Sequence, residues 1–326
     1  MVKFALLIGL NYNDDKEYQL KSSYNDVLLM KKYLETGEEF LSNKIFIMTD
    51  EDDKKNTDFY ASFFNIVQKI KEVIAISTSN DVLFIYFTGH GTQIKDKNSD
   101  EKDKKDEVFL PANHKNNLIS DDLIKSLLKN TKAYTTLVFD TCNSGTMADL
   151  KYNYTLTPYL LTTKLDKDDL DSKNVISVSS SNDDQDSFSA PLHSGNGIIK
   201  YYSNFTYYFV KHLASKKQTI KEHIDTLKND PILKKTNFSF SNNKLSESFF
   251  LEKYDNSQKE LMEITKNNMN STNKHDRINQ LVKMNKKLKR QLKNKNNIIE
   301  RYKSALQLRN VPTLNLFSNL LYDIKE

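Results

Sequence analysis

The chain has 326 residues, a net charge of +5, a single cysteine, 38% apolar and 28% charged residues. One cysteine excludes a disulfide framework and suits a reducing, cytoplasmic compartment, and no run approaches the ~20 apolar residues of a transmembrane segment. The length predicts about two domains.

Strand and helix patterns alternate from the N-terminus. Residues 3–10 read as a buried core strand; the apolar run 4–10 is short and meets Asn11 with no small-residue cleavage site, so it is not a signal peptide. Residues 24–35 have helical spacing at Val27, Leu28, Met30 and Leu34, with Gly37 as a stop signal. A short strand is predicted over 44–48, a long amphipathic helix over 58–76 and a buried strand over 81–87. After the charged loop 96–107 comes a helix over 118–128, with Ser120 and Asp121 as N-cap candidates. The apolar, β-branched residues 134–139 read as a further buried strand. Residues 174–179 are predicted as strand, 198–213 and 220–227 as helices, and 245–251 as the last strand. This order predicts an α/β fold with a mainly parallel central sheet and helices on both faces.

Two strand ends carry chemistry. The strand over 81–87 runs into Thr88-Gly89-His90-Gly91, where flanking glycines let the backbone turn sharply and expose the imidazole. The strand over 134–139 runs into Asp140-Thr141-Cys142-Asn143-Ser144-Gly145, which holds the only cysteine. A lone cysteine is most often a buried structural thiol, but small polar residues around this one argue against a sealed core. In open α/β sheets ligands bind at the carboxyl ends of strands. A thiol with a pKa near ~8.5 becomes a good nucleophile when an imidazole takes its proton. His90 precedes Cys142 by 52 positions, close to the roughly 50-residue offset of caspase-type enzymes. The remaining histidines considered, His114, His193, His212 and His223, lack glycine-flanked strand ends and read as structural.

Taken with Ala5-Leu6-Leu7-Ile8-Gly9-Leu10-Asn11-Tyr12 and Asn25-Asp26, these two motifs occur in an order that resembles the metacaspases over about residues 1–250. The resemblance implies a caspase-like sandwich, with a large-subunit-like part over 1–165 and a small-subunit-like part over 174–255. It implies a cysteine endopeptidase that cuts after arginine or lysine, with His90 and Cys142 catalytic. It places Asp26, Thr88 and Asp140 around the substrate's basic side chain, where carboxylates offer charge-assisted hydrogen bonds. Without the resemblance Asp26 reads equally well as a helix cap or surface carboxylate. The resemblance also implies calcium held by Asp106, Asp121, Asp122 and Asp149; read alone, the loop 96–107 is a solvated charged loop without EF-hand spacing. Lysines between 151 and 173, Lys164 and Lys167 among them, are candidate self-cleavage points. The chain departs from the family pattern at Thr88, usually serine, at Ser22-Ser23, usually Gly-Cys, and at Asn143, commonly histidine.

Residues 256–274 are polar and asparagine-rich, and read as a linker. Over 275–310 a heptad pattern runs through Ile278, Leu281, Leu288, Leu292, Ile299, Tyr302 and Leu306, with Asn285 and Lys295 as polar breaks, predicting a coiled coil. Residues 274–303 hold 11 Lys and Arg against Asp276 and Glu300, a net +9 that leaves −4 for the rest of the chain. This segment is expected to pack on the preceding domain, to form a homo-oligomer or to dock on an acidic partner, nucleic acid or a membrane surface; the lack of interleaved aromatics apart from Tyr302 weighs against nucleic acid. A tail, 311–326, follows. The alternative function is a catalytically weak caspase-fold scaffold acting through this basic coil.

Overall fold

The computed structural model describes residues 1–95, 105–142, 144, 147–148, 150–156, 159–163, 170–180, 189–193, 199–215, 218–242 and 251. The predicted coil and tail, the candidate self-cleavage lysines at 164 and 167, and Asp149 lie outside these residues. The described elements run β1 (Lys3–Gly9), α1 (Ser23–Gly37), β2 (Ile45–Thr49), α2 (Phe63–Ile76), β3 (Val82–Thr88), β4 (Gly91–Lys95), β5 (Lys105–Phe109), β6 (Ile119–Ser120) and α3 (Asp121–Leu128). They continue with β7 (Tyr134–Asp140), β8 (Tyr152–Leu156), β9 (Tyr159–Thr163), β10 (Val175–Ser179), β11 (Ser189–His193), β12 (Ile199–Ser203), α4 (Asn204–Ser215), α5 (Ile220–Leu227) and β13 (Asn237–Phe240).

One sheet of eight strands orders them β2-β1-β3-β7-β10-β13-β8-β9. The first five strands are parallel and the last three pairings antiparallel. All seven residues of β3 and of β7 are buried, as expected for parallel strands covered on both faces. Side-chain alternation then divides the core. Phe4, Leu6 and Ile8 of β1 face the layer of Ile66, Ile70 and Val73 from α2 and Ile124 and Leu127 from α3. Ala5 and Leu7 face Val27, Met30 and Leu34 of α1, Phe205 and Phe209 of α4 and Ile224 of α5. Helices thus cover both faces, as the α/β pattern predicts. At the site's end of the sheet, Phe87 stacks on Phe139 across β3 and β7, ring centroids 4.9 Å apart, which ties the two strand ends together.

The structure differs from the sequence expectation in several places. The helix predicted over 58–76 begins at Phe63, because the Ser62 hydroxyl caps it by accepting from Asn65 N–H, while Tyr60 bridges to Thr49. The helix predicted over 118–128 begins at Asp121; Ile119 and Ser120 pair with β5, and Ser120 caps α3. The helix predicted over 198–213 is half strand: β12 pairs with β11 as a two-stranded sheet, and helix starts only at Asn204. Of residues 245–251 only Leu251 is described. The last described strand is β13, with Asn237 and Ser239 buried beside Phe238 and Phe240, so no apolar run signals it. Among the described residues no helix is long and apolar enough to cross a membrane.

Candidate active site

Strand register brings the two catalytic candidates to one sheet edge. β3 and β7 are neighbours and pair in parallel from Val82↔Tyr134 to Thr88↔Asp140. His90 and Cys142 each follow that last pair by two residues. The Gly89 N–H donates to the Asp140 carbonyl at 3.4 Å, extending the pairing beyond the strands. Gly91 then lies directly against the cysteine: a Cβ at position 91 would stand 2.3 Å from the Cys142 carbonyl oxygen and 3.0 Å from Thr141. Only glycine lets the two backbones approach this closely. Cys142 itself is half-buried, and its sulfur is in no disulfide.

The imidazole of His90 is held from the side away from β7. Its Nε2 lies 2.7 Å from the backbone carbonyl oxygen of Tyr18. A carbonyl only accepts, so Nε2 carries the proton and Nδ1 is left as the basic nitrogen. The backbone is fixed as well. The Tyr12 hydroxyl accepts from His90 N–H at 2.9 Å and donates to the Leu110 carbonyl at 2.7 Å. The Leu110 N–H donates to the His90 carbonyl at 3.0 Å, which closes the ring. Tyr12 adopts φ +54° to reach this position, a conformation uncommon outside glycine. Burial lowers the His90 pKa below the ordinary histidine value, the Tyr18 carbonyl opposes this, and the nearby His114 imidazole adds to it. His90 is therefore a neutral base near pH 7. The group that holds Nε2 is a main-chain carbonyl, which leaves no mark in the sequence.

The residues expected around a basic substrate side chain are close together and deeply buried. Asp26 is 0% exposed, Thr88 2% and Asp140 3%. Asp26 Oδ1 accepts from Ser203 N–H at 3.0 Å, and Oδ2 has no hydrogen-bond partner among the described residues. Asp140 Oδ2 accepts from the Thr206 hydroxyl at 2.6 Å, and Thr206 also bonds the Tyr86 hydroxyl at 2.5 Å. Burial, and then the Asp140 charge, push the Asp26 carboxyl well above its usual range, against the N–H of Ser203 and the hydroxyl of Ser22. A cation placed beside both carboxyls would offset the cost of burying their charge. Ser203 and Thr206 went unnoticed in the sequence; nothing but their place at the β12–α4 junction distinguishes them.

Of the four aspartates expected to bind calcium, three come together: Asp106, Asp121 and Asp122 each offer an oxygen, all within 4.8 Å of one another. Asp106 and Asp122 line a cavity of about 290 Å³ with Ile94, His114, Asn116 and Ser120. Burial, with Glu107 and Asp106 nearby, pushes Asp121 up to about 8, although it accepts from Asp122 and Glu107 N–H. A crowded, partly protonated set of oxygen donors fits a hard divalent cation.

The helix-covered sheet, with a thiol and an imidazole at adjacent strand ends, fits a caspase-like α/β fold. Residues 3–151 match the model of the metacaspase peptidase C14 domain. The chain is 35% identical over 157 residues to "Metacaspase III c" of Phaeodactylum tricornutum, 46% of this chain and 45% of that protein. It is 35% identical over 156 residues to "Metacaspase-1" of Ajellomyces capsulatus, 46% and 42% of the two chains. It is 37% identical over 158 residues to "Metacaspase-1" of Plasmodium falciparum, 47% and 26%. The match thus spans less than half of each relative. A solved structure of a Geobacter sulfurreducens protein is similar in fold, with a TM-score of 0.50 and 15% identity over 74% of this chain and 94% of that one.

Proposed function

We propose that the chain is a cysteine endopeptidase that cuts after arginine or lysine and is stimulated by calcium. The observation that supports it best is the β3–β7 register, with His90 Nε2 tied to the Tyr18 carbonyl so that Nδ1 is the free base. In this reading Nδ1 of His90 takes the Cys142 proton, and the thiolate attacks the carbonyl carbon of the scissile bond. Backbone N–H groups at this strand end receive the oxyanion. The imidazolium then protonates the leaving amine, and water, activated by the same nitrogen, releases the acyl group. Asp26 and Asp140 receive the guanidinium or ammonium; Asp26 Oδ2, without a hydrogen-bond partner among the described residues, supports this role. Thr88, with a methyl where the family usually has serine, shapes the pocket beside them.

Asp106, Asp121 and Asp122, with Asp149, would hold calcium, which would supply positive charge to the carboxylate cluster. Processing at lysines between 151 and 173 is part of the same proposal. The test is cleavage of Arg- and Lys-reporter peptides by wild type and Cys142→Ala, each with millimolar calcium and with chelator. Cleavage lost in the variant and reduced by chelator is expected. No cleavage by wild type in calcium would refute the peptidase reading, and equal rates with and without chelator would refute the calcium role alone.

A further inference from the structure

We propose that His114 is a positioning residue for the catalytic pair, acting through the rings of Tyr12 and Tyr18; the proposal rests on the peptidase reading above. Four rings form one cluster. The His114 ring lies 4.7 Å from that of Tyr18 and 5.7 Å from that of Tyr12, edge-on to the latter at 85°. The other sides of the same tyrosines meet His90, at 4.9 Å for Tyr12 and 5.7 Å for Tyr18. Both tyrosines also bond His90 directly, Tyr18 through its carbonyl and Tyr12 through its hydroxyl. His114 packs against both groups that orient the base.

The polar atoms of His114 do not account for its place. Its side chain is 8% exposed, and neither ring nitrogen has a hydrogen-bond partner among the described residues. Nε2 stands 3.8 Å from Asp15 Oδ2, whose nearer partner is Lys115 at 3.0 Å. What His114 gives its neighbours is ring surface. Tyr18 needs it, because residues 10–22 contain no helix or strand. Nearby backbone bonds, Tyr18 N–H to Asp15 and Leu20 N–H to Asn11, leave the Tyr18 carbonyl to be aimed by how its side chain packs. His114 also walls the cavity shared with Asp106 and Asp122. Truncating it would open that cavity toward Tyr18 and free the carbonyl to move.

With one cysteine in the chain, alkylation by iodoacetamide, read by intact mass, reports on Cys142 alone and needs no substrate. It is measured from pH 5 to 9 in the full chain for wild type, His90→Ala, His114→Ala and His114→Phe, beside peptide kcat and KM. A small misplacement of a catalytic group can cost up to ~100-fold, so His114→Ala should slow alkylation at pH 7 and lower kcat on the order of tenfold, with KM little changed. His114→Phe keeps the ring and forfeits no hydrogen bond, so it should restore both to near wild type. A purely structural role would lower the unfolding midpoint and leave the alkylation profile of the folded protein unmoved, which overturns the proposal. Equal slowing in the Phe and Ala variants overturns it too. If His90→Ala alkylates like wild type, the catalytic pair itself fails and the proposal falls with it. Should His114→Ala fail to fold, His114→Leu, which fills the volume without a ring face, takes its place.

Discussion

Replacing Tyr12 by Phe removes one oxygen and tests how the base is held. That oxygen is the partner of two buried main-chain groups, His90 N–H at 2.9 Å and the Leu110 carbonyl at 2.7 Å. Tyr12 is 3% exposed, and burial holds its hydroxyl proton far above the ordinary tyrosine range, so it acts as a neutral donor and acceptor. Phe keeps the ring contact with His90 and the same φ, so packing and backbone strain cancel in the comparison. A buried group left without its partner costs about 1–3 kcal/mol. Two such groups, partly relaxed, should therefore destabilise the fold by about 2–4 kcal/mol, a large part of a stability that is ~5–15 kcal/mol for most proteins. The assay is urea unfolding, with the midpoint falling at constant slope, and Cys142 alkylation should slow because the His90 backbone is freed. A loss below about 0.5 kcal/mol would refute the claim that this hydroxyl joins the strand end to the β5 side.

Other perturbations probe separate parts of the site. Gly91→Ala drives a Cβ to 2.3 Å from the Cys142 carbonyl; a clash between two backbones should cost at least the ~1–3 kcal/mol of an overpacked core and displace the thiol, and wild-type unfolding and alkylation would show that no such contact exists. Thr206→Val takes a hydrogen bond from both Asp140 and Tyr86; the expectation is a several-fold higher KM for arginine peptides, about 1–3 kcal/mol less stability, and an unchanged KM is the contrary result. Asp121, raised to about 8 when folded, binds more protons in the native than in the unfolded state between about pH 4 and 8, so its contribution is complete below that window and lost as pH rises through it. Metal-free protein should weaken across that window, less so in Asp121→Asn and in saturating calcium; identical slopes in all three would count against the cluster. His223, with Nδ1 2.9 Å from His212 Nε2, is pushed down to about 4 by burial and by His212, against Glu222, while Asp230 acts on His212. Its stabilising contribution is present above about pH 6.5 and lost as pH falls toward 4, and His223→Leu should flatten that acid limb of the unfolding curve.

Local chemistry explains which features could be read from the chain. The runs that became β1, β3 and β7 are apolar because both faces of a parallel strand are buried, and that composition is visible without any partner. The Thr219–Glu222 pair forms a capping box at the start of α5, another signal contained within four residues. Where the structure departed from expectation, a distant partner had decided. Residues 199–203 have the spacing of a helix but pair with β11, and β13 is polar at every second position yet buried between β10 and β8. The strands that became β4, β5, β8 and β9 are short, with mixed composition, and each is defined by the neighbour it bonds.

From the linear chain alone one could find a candidate nucleophile, a candidate base and the carboxylates expected beside them, because each sits in a short run whose glycines, strand or acidity mark it. Tertiary structure alone brought the Tyr18 carbonyl to His90, the Tyr12 hydroxyl to the same backbone, Thr206 to Asp140 and Ser203 to Asp26. These are single hydrogen bonds between groups 66 to 177 residues apart. Three of the four use a main-chain N–H or carbonyl, so their positions depend on the path of the backbone and not only on which side chains it carries.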